Sequence, residues 1–92
     1  MNNLEIVKVE HVFKTLGNRK RLALLVYLLA AESSLDKISK DLGLPYKTVA
    51  RNLIHLQEAG FIAKRTYKNK VFYSINNHVS SRYAFLVKLG FF

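Results

Sequence analysis

The chain has 92 residues, half of them apolar, which suits one compact domain and is too short for two independent cores. Cysteine is absent, which excludes disulfides, thiolate metal sites and cysteine nucleophiles. The formal net charge is +9, and it is unevenly placed: residues 1–46 hold seven Lys and Arg against five Asp and Glu, whereas residues 47–92 hold eight against one. A one-sided positive field of this size points to a polyanionic partner, with nucleic acid first and an anionic membrane surface second. No apolar run is long enough to span a bilayer, because the longest, Leu22 to Ala31, has ten residues where about twenty are needed. That run reads as a buried core helix. Residues 1–10 lack the apolar stretch and cleavage site of an export signal, so a cytoplasmic location is expected.

In chain order, the first expected helix covers about 4–16, with Ile6, Val9, Val12, Phe13 and Leu16 at helical spacing. Gly17 suits a left-handed helix end and Asn18 the cap of a second helix running from Arg19 to about Ala31. Ser33 and Ser34 can cap a short third helix whose inward stripe is Leu35, Ile38 and Leu42, with Gly43 ending it. Pro45 opens a fourth helix, about 45–59, as its first residue. The period then changes to extended over about 61–75, giving a hairpin with Tyr67-Lys68-Asn69-Lys70 at its tip and Phe61, Val71 and Tyr73 as its anchors. Asn69 can supply the positive φ of the turn, and the turn type stays open. A last helix, about 77–90, follows a cap at Asn76 or Asn77. The expected fold is therefore mainly α with a small β-hairpin, in the order α-α-α-α-β-β-α.

Two short helices broken at Gly43 and Pro45 have the punctuation of a helix-turn-helix that reads DNA. At about 100° per residue, Val49, Leu53 and Leu56 make the buried stripe of the fourth helix. Lys47, Thr48, Arg51 and His55 form a donor-rich outward face, flanked by Tyr46 and Asn52, and these six are the base-reading candidates. Arg19, Lys20 and Arg21 sit in the first turn of the second helix, where the dipole is already positive, so a phosphate bound by cations and free backbone donors is expected there. For Arg21 the alternative is a turn back toward a carboxylate elsewhere. The hairpin supplies Lys64, Arg65, Tyr67, Lys68 and Lys70 as further phosphate candidates, and a cationic ribbon of this kind acts as a wing beside the reading helix.

The stretch from Phe13 to Ile75 resembles the winged helix-turn-helix repressors of the ArsR/SmtB type. The residues that carry the likeness are Leu16-Gly17-Asn18-Arg19-Lys20-Arg21-Leu22, Leu42 to Leu53, and Leu56-Gln57-Glu58-Ala59-Gly60-Phe61-Ile62. The resemblance implies a homodimer that sits on an operator and represses, often until a metal or another signal releases it. Here the third helix has Leu35 and Lys37 where metal-sensing members carry cysteines, and the terminal helix offers only His78, so neither a metal nor another cofactor is expected. His11, His55 and His78 lie on separate elements. Between Val79 and Phe92 nine of fourteen residues are apolar, which leaves a stripe for a two-fold partner to bury. Interface candidates are Ile6, Val9 and Phe13 on the first helix and Tyr83, Phe85, Leu86, Leu89 and Phe92 on the last. The expected function is a sequence-selective duplex-DNA-binding regulator of transcription, a single domain over 1–92 that dimerises through its terminal helices. The alternatives are a winged-helix module for protein or RNA, or a weakly specific architectural DNA binder. An enzyme is not expected, because with no cysteine, six carboxylates and no paired His and carboxylate motif the ingredients for acid–base or metal chemistry are thin.

Overall fold

The structure, a computed structural model, describes residues 2–76. Its elements are α1 (Asn3–Leu16), α2 (Arg19–Ala30), β1 (Ser33–Ser34), α3 (Leu35–Leu42), α4 (Tyr46–Glu58), β2 (Ile62–Tyr67) and β3 (Lys70–Ile75). The expected terminal helix and its interface candidates Tyr83, Phe85, Leu86, Leu89 and Phe92 lie outside the described residues.

Local chemistry sets most boundaries. Asn2 Oδ1 accepts from Glu5 N at 2.9 Å, and Asn2 Nδ2 donates to Glu5 Oε1 at 3.1 Å, a reciprocal cap that opens α1. Asn18 Oδ1 accepts from the amides of Lys20 and Arg21 to open α2, and Ser34 Oγ accepts from Lys37 N to open α3. Gly43, at φ 65°, ends α3 in the left-handed conformation, and Ser39 Oγ donates to Leu44 O at 2.6 Å across the same turn. Pro45 is the cap residue rather than the first helical one, at ψ 141°, and α4 begins at Tyr46. Gly17 does not take the expected left-handed form: its φ is −74°. Glycine is required there by space, since a Cβ would stand 2.8 Å from Phe13 O.

The core is formed by Val9, Val12, Leu24, Leu28, Ile38, Val49, Leu53, Leu56, Ala59, Phe61 and Ile62. The stripes expected on α3 and α4 face this core, with Leu35 and Leu42 packed against it and Ile38, Val49, Leu53 and Leu56 buried. Two expectations change. Only one face of α2 is buried, through Leu24 and Leu28, whereas Val26 and Leu29 are 67% and 71% exposed on the other. On α1, Val9 points inward while Ile6 and Phe13 are exposed, so Val9 belongs to this chain's own core and not to an interface with a partner.

The hairpin closes through a two-residue turn in which both Lys68 (φ 49°) and Asn69 (φ 64°) are left-handed, as the twist-matched tight turn demands. Pairing runs from Tyr67 opposite Lys70 to Ile62 opposite Ile75. Ile62 is the buried anchor; Val71, expected in that role, is 41% exposed. The sheet has a third strand that the sequence did not announce. Ser33 and Ser34 pair antiparallel with Tyr73 and Phe72, giving the order β1-β3-β2. Two serines show no alternation, and this strand exists only because β3 lies beside it.

Candidate nucleic-acid interface

The outward face of α4 presents Tyr46, Lys47, Arg51 and His55 to solvent, with Thr48 half-buried beside them. Asn52 is not part of that face. It is 7% exposed, its Oδ1 accepts from Arg21 Nε at 3.1 Å, and its Nδ2 donates to Thr48 O at 2.9 Å. Its wheel position, about 60° from Val49, already favoured the buried side. Arg21 in turn is drawn inward, and its Nη1 donates to Thr15 O at 3.2 Å. It does turn back, though to an amide and a carbonyl rather than a carboxylate. Arg21 therefore ties the end of α1 and the start of α2 to α4, and is removed from the phosphate candidates. Asn18 also occupies the backbone donors of Lys20 and Arg21, so two of the donors expected for a phosphate at this helix end are already taken. Arg19 and Lys20 remain exposed there.

On the wing, Lys64, Tyr67, Lys68 and Lys70 are exposed. Lys68 Nζ lies 5.3 Å from the centre of the Tyr67 ring. Arg65 has a different task. Its Nε and Nη2 donate to the two carboxylate oxygens of Glu32 at 2.7 and 2.6 Å, and its guanidinium stands 5.4 Å from the Phe72 ring centre. This fork joins the wing to the segment between α2 and β1, so Arg65 is a structural tie before it is a phosphate ligand. Sequence reading missed it because Glu32 lies 33 residues away.

The hydrogen bond from Arg65 holds the Glu32 carboxyl below its ordinary range, with the cation's field adding to it and desolvation opposing. A carboxyl depressed in the folded state stabilises the fold above its unfolded pKa, and that contribution is lost as pH falls through the folded value. The wing tie is therefore expected to be intact at neutral pH and to open only in acid. A carbon-detected NMR titration should place the Glu32 midpoint below the ordinary glutamate value, and Glu32→Gln should broaden or shift the Arg65 and Phe72 signals at neutral pH. A midpoint at or above the ordinary value would show that the fork does not persist in solution.

Between α3, the start of α4 and the wing tip lies a cleft of about 610 Å³, lined by residues that include Lys37, Lys40, Tyr46, Asn69, Lys70 and Tyr73. Burial, together with the neighbouring Tyr46 phenol, raises the pKa of the Tyr73 hydroxyl. Lys37 is paired with Asp41 at 2.7 Å, and Tyr27 Oη donates to the same carboxylate at 2.6 Å. These contacts raise the Lys37 pKa and lower that of Asp41, in each case chiefly through the hydrogen bond between the two. Leu35 packs against the core and Lys37 is ion-paired, so the α3 positions that hold thiolates in metal sensors do not fit a metal here.

The deciding comparison is structural. A homodimeric winged helix-turn-helix DNA-binding domain from Mycobacterium bovis, described as a possible ArsR-family transcriptional regulator, superposes with a TM-score of 0.76 at 25% identity, covering 97% of this chain and 85% of that one. This chain has the fold of the ArsR-type winged helix-turn-helix regulators. HlyU from Vibrio cholerae is similar to the same degree, with a TM-score of 0.75, 26% identity and 98% of both chains covered. No protein-family model matches the chain. In sequence it is 34% identical over 64 residues to an uncharacterised helix-turn-helix-type transcriptional regulator of Methanocaldococcus jannaschii, an alignment covering 70% of this chain and 16% of that protein. The winged helix-turn-helix chain thus spans about a sixth of the length of that curated relative. No helix among the described residues is long and apolar enough to cross a membrane.

Proposed function

We propose that this chain binds duplex DNA selectively as a homodimer and represses transcription by occupying its site. The observation that carries the reading is the juxtaposition of the α4 N-terminus and the wing tip around one cleft, with Tyr46 on one side and Asn69 and Lys70 on the other. A helix of α4's diameter fits the major groove, and Lys47, Thr48, Arg51 and His55 then face base edges. Arg19, Lys20, Lys64, Lys68 and Lys70 meet phosphates, with Tyr67 beside them, and these contacts position the protein without reading sequence. Dimerisation is supported by the exposed apolar residues Leu4, Ile6, Val7 and Phe13 along α1. A two-fold partner would bury them and set two reading helices about one DNA turn apart.

Fluorescence anisotropy with duplex fragments, run as a salt series, tests the proposal. If the dimer neutralises about six phosphates, log affinity should fall against log salt with a slope near −5. Light scattering on the same sample should give twice the chain mass. Stronger competition by single-stranded RNA than by duplex, or a salt-independent affinity, would overturn the DNA reading.

A further inference from the structure

Asn52 stands at the seam between the two faces of α4. On the helical wheel it lies about 60° from the core residue Val49 and about 40° from Thr48, where the outward face begins. Its amide is held at both ends: Nδ2 donates to Thr48 O at 2.9 Å, and Oδ1 accepts from Arg21 Nε at 3.1 Å. Turning the amide over would set oxygen against Thr48 O and nitrogen against Arg21 Nε, losing both bonds. Arg21 is fixed in its turn. Its backbone amide donates to the Asn18 side chain at the start of α2, and its Nη1 donates to Thr15 O at 3.2 Å. Thr15 O is among the last four carbonyls of α1, which the bonds within a helix leave without a partner. A guanidinium there also meets the negative end of the α1 dipole. One side chain thus anchors on α1 and α2 and reaches a single edge of α4.

The buried stripe of Val49, Leu53 and Leu56 fixes where the axis of α4 lies. Apolar contacts are non-directional, however, and resist small rotations about that axis less than hydrogen bonds do, whose strength falls steeply with angle. A helix with its side chains is about 10–12 Å across, so a turn of about 15° carries an outward side chain by about 1.5 Å. A hydrogen bond to a base edge spans only about 2.7–3.2 Å and does not survive a shift of that size. We infer that Arg21 is a positioning residue for base selection: without touching DNA, it sets the rotation of α4 and hence the base edges that Lys47 and Thr48 meet. This deepens the DNA-binding reading and rests on it. Arg21 then contributes to selectivity and not to the salt-dependent part of affinity, although its place in the first turn of α2 is that of a phosphate ligand.

The test is competition binding by the full chain and its Arg21→Gln variant against duplexes changed one base pair at a time, repeated as a salt series well below both thermal midpoints. Glutamine keeps an amide donor but loses the charge and the second anchor. The ratio between preferred and altered sites is expected to fall about 2- to 30-fold at the base pairs facing the start of α4. The salt slope should stay as it was, although a cation has been removed. Lys20→Ala, at the exposed neighbouring position, should do the reverse, with the slope reduced by about one and the ratio retained. An unchanged ratio in Arg21→Gln, accompanied only by a lower melting midpoint, overturns the inference, since a tie that serves stability alone gives that result. A slope reduced by about one also overturns it and returns Arg21 to the phosphate ligands. Failure of the unaltered chain to prefer any duplex overturns the functional reading itself. A measurement on the unaltered chain does not depend on how the variant folds: the NMR signal of Arg21 Nε–H should stay protected from exchange with water, both free and on duplex. Rapid exchange in the duplex-bound chain would mean that the bond to Asn52 is missing where it has to act, and would overturn the inference.

Discussion

Asn52→Ala is expected to lower the thermal midpoint of the chain, not merely to weaken a base contact. Asn52 joins two helices through its side chain, accepting from Arg21 Nε and donating to Thr48 O. Alanine removes both bonds and leaves the half-buried Arg21 Nε without its acceptor. Losing one partner of a buried hydrogen bond costs about 1–3 kcal/mol, because the remaining group has given up water without recompense. For a domain of this size each kcal/mol is worth about 4–8 °C in the midpoint. Circular dichroism melting checks this directly. An unchanged midpoint together with weaker discrimination between duplexes would return Asn52 to the base-reading set. The network has a functional side as well: Arg21 also binds Thr15 O, so the end of α1 and the register of α4 are held by one guanidinium. Movement at α1, the helix proposed to meet a partner, would reach the reading helix through that contact.

Arg51→Ala carries the other large effect, and its signature is the opposite. Arg51 is exposed on α4 and forms no ion pair among the described residues, so its removal should leave the melting midpoint where it was. A bidentate contact with guanine O6 and N7 is worth about 1–3 kcal/mol of discrimination, or roughly 5- to 150-fold between a preferred and an altered site. Competition binding with duplexes changed one base pair at a time is the measurement. The contrast is Lys68→Ala at the wing tip, which should weaken every duplex to a similar extent and reduce the salt slope by about one. Equal loss on all sequences from both variants would contradict the division of labour between α4 and the wing.

Much of this molecule could be read before its coordinates. Caps at Asn18 and Ser34, the stop at Gly43 and the inward stripes of α3 and α4 are local or periodic signals, and they place the helix-turn-helix correctly. Asn69 announced its positive φ, whereas Lys68 shares it only because the turn that matches the strand twist needs two such residues. The losses fell on polar side chains. Asn52 flanks the outward face by its position and Arg21 can serve a phosphate or turn back toward a carboxylate; in the structure each is the other's partner, Arg21 Nε donating to Asn52 Oδ1. Arg65 counted as one of four free wing cations until Glu32 arrived beside it.

The limits of α3 and the inward stripes of α3 and α4 are determined by the sequence alone, since capping bonds span only two or three residues and the helical period repeats within one segment. Tertiary structure decided which of the charged and polar groups remain available to a partner. The Arg21–Asn52 and Arg65–Glu32 contacts link residues 31 and 33 positions apart, and β1 becomes a strand only against β3. Such pairings depend on distant segments being brought together by burial of the shared core, and a helical wheel drawn for one element contains no information about what a neighbouring element will offer it.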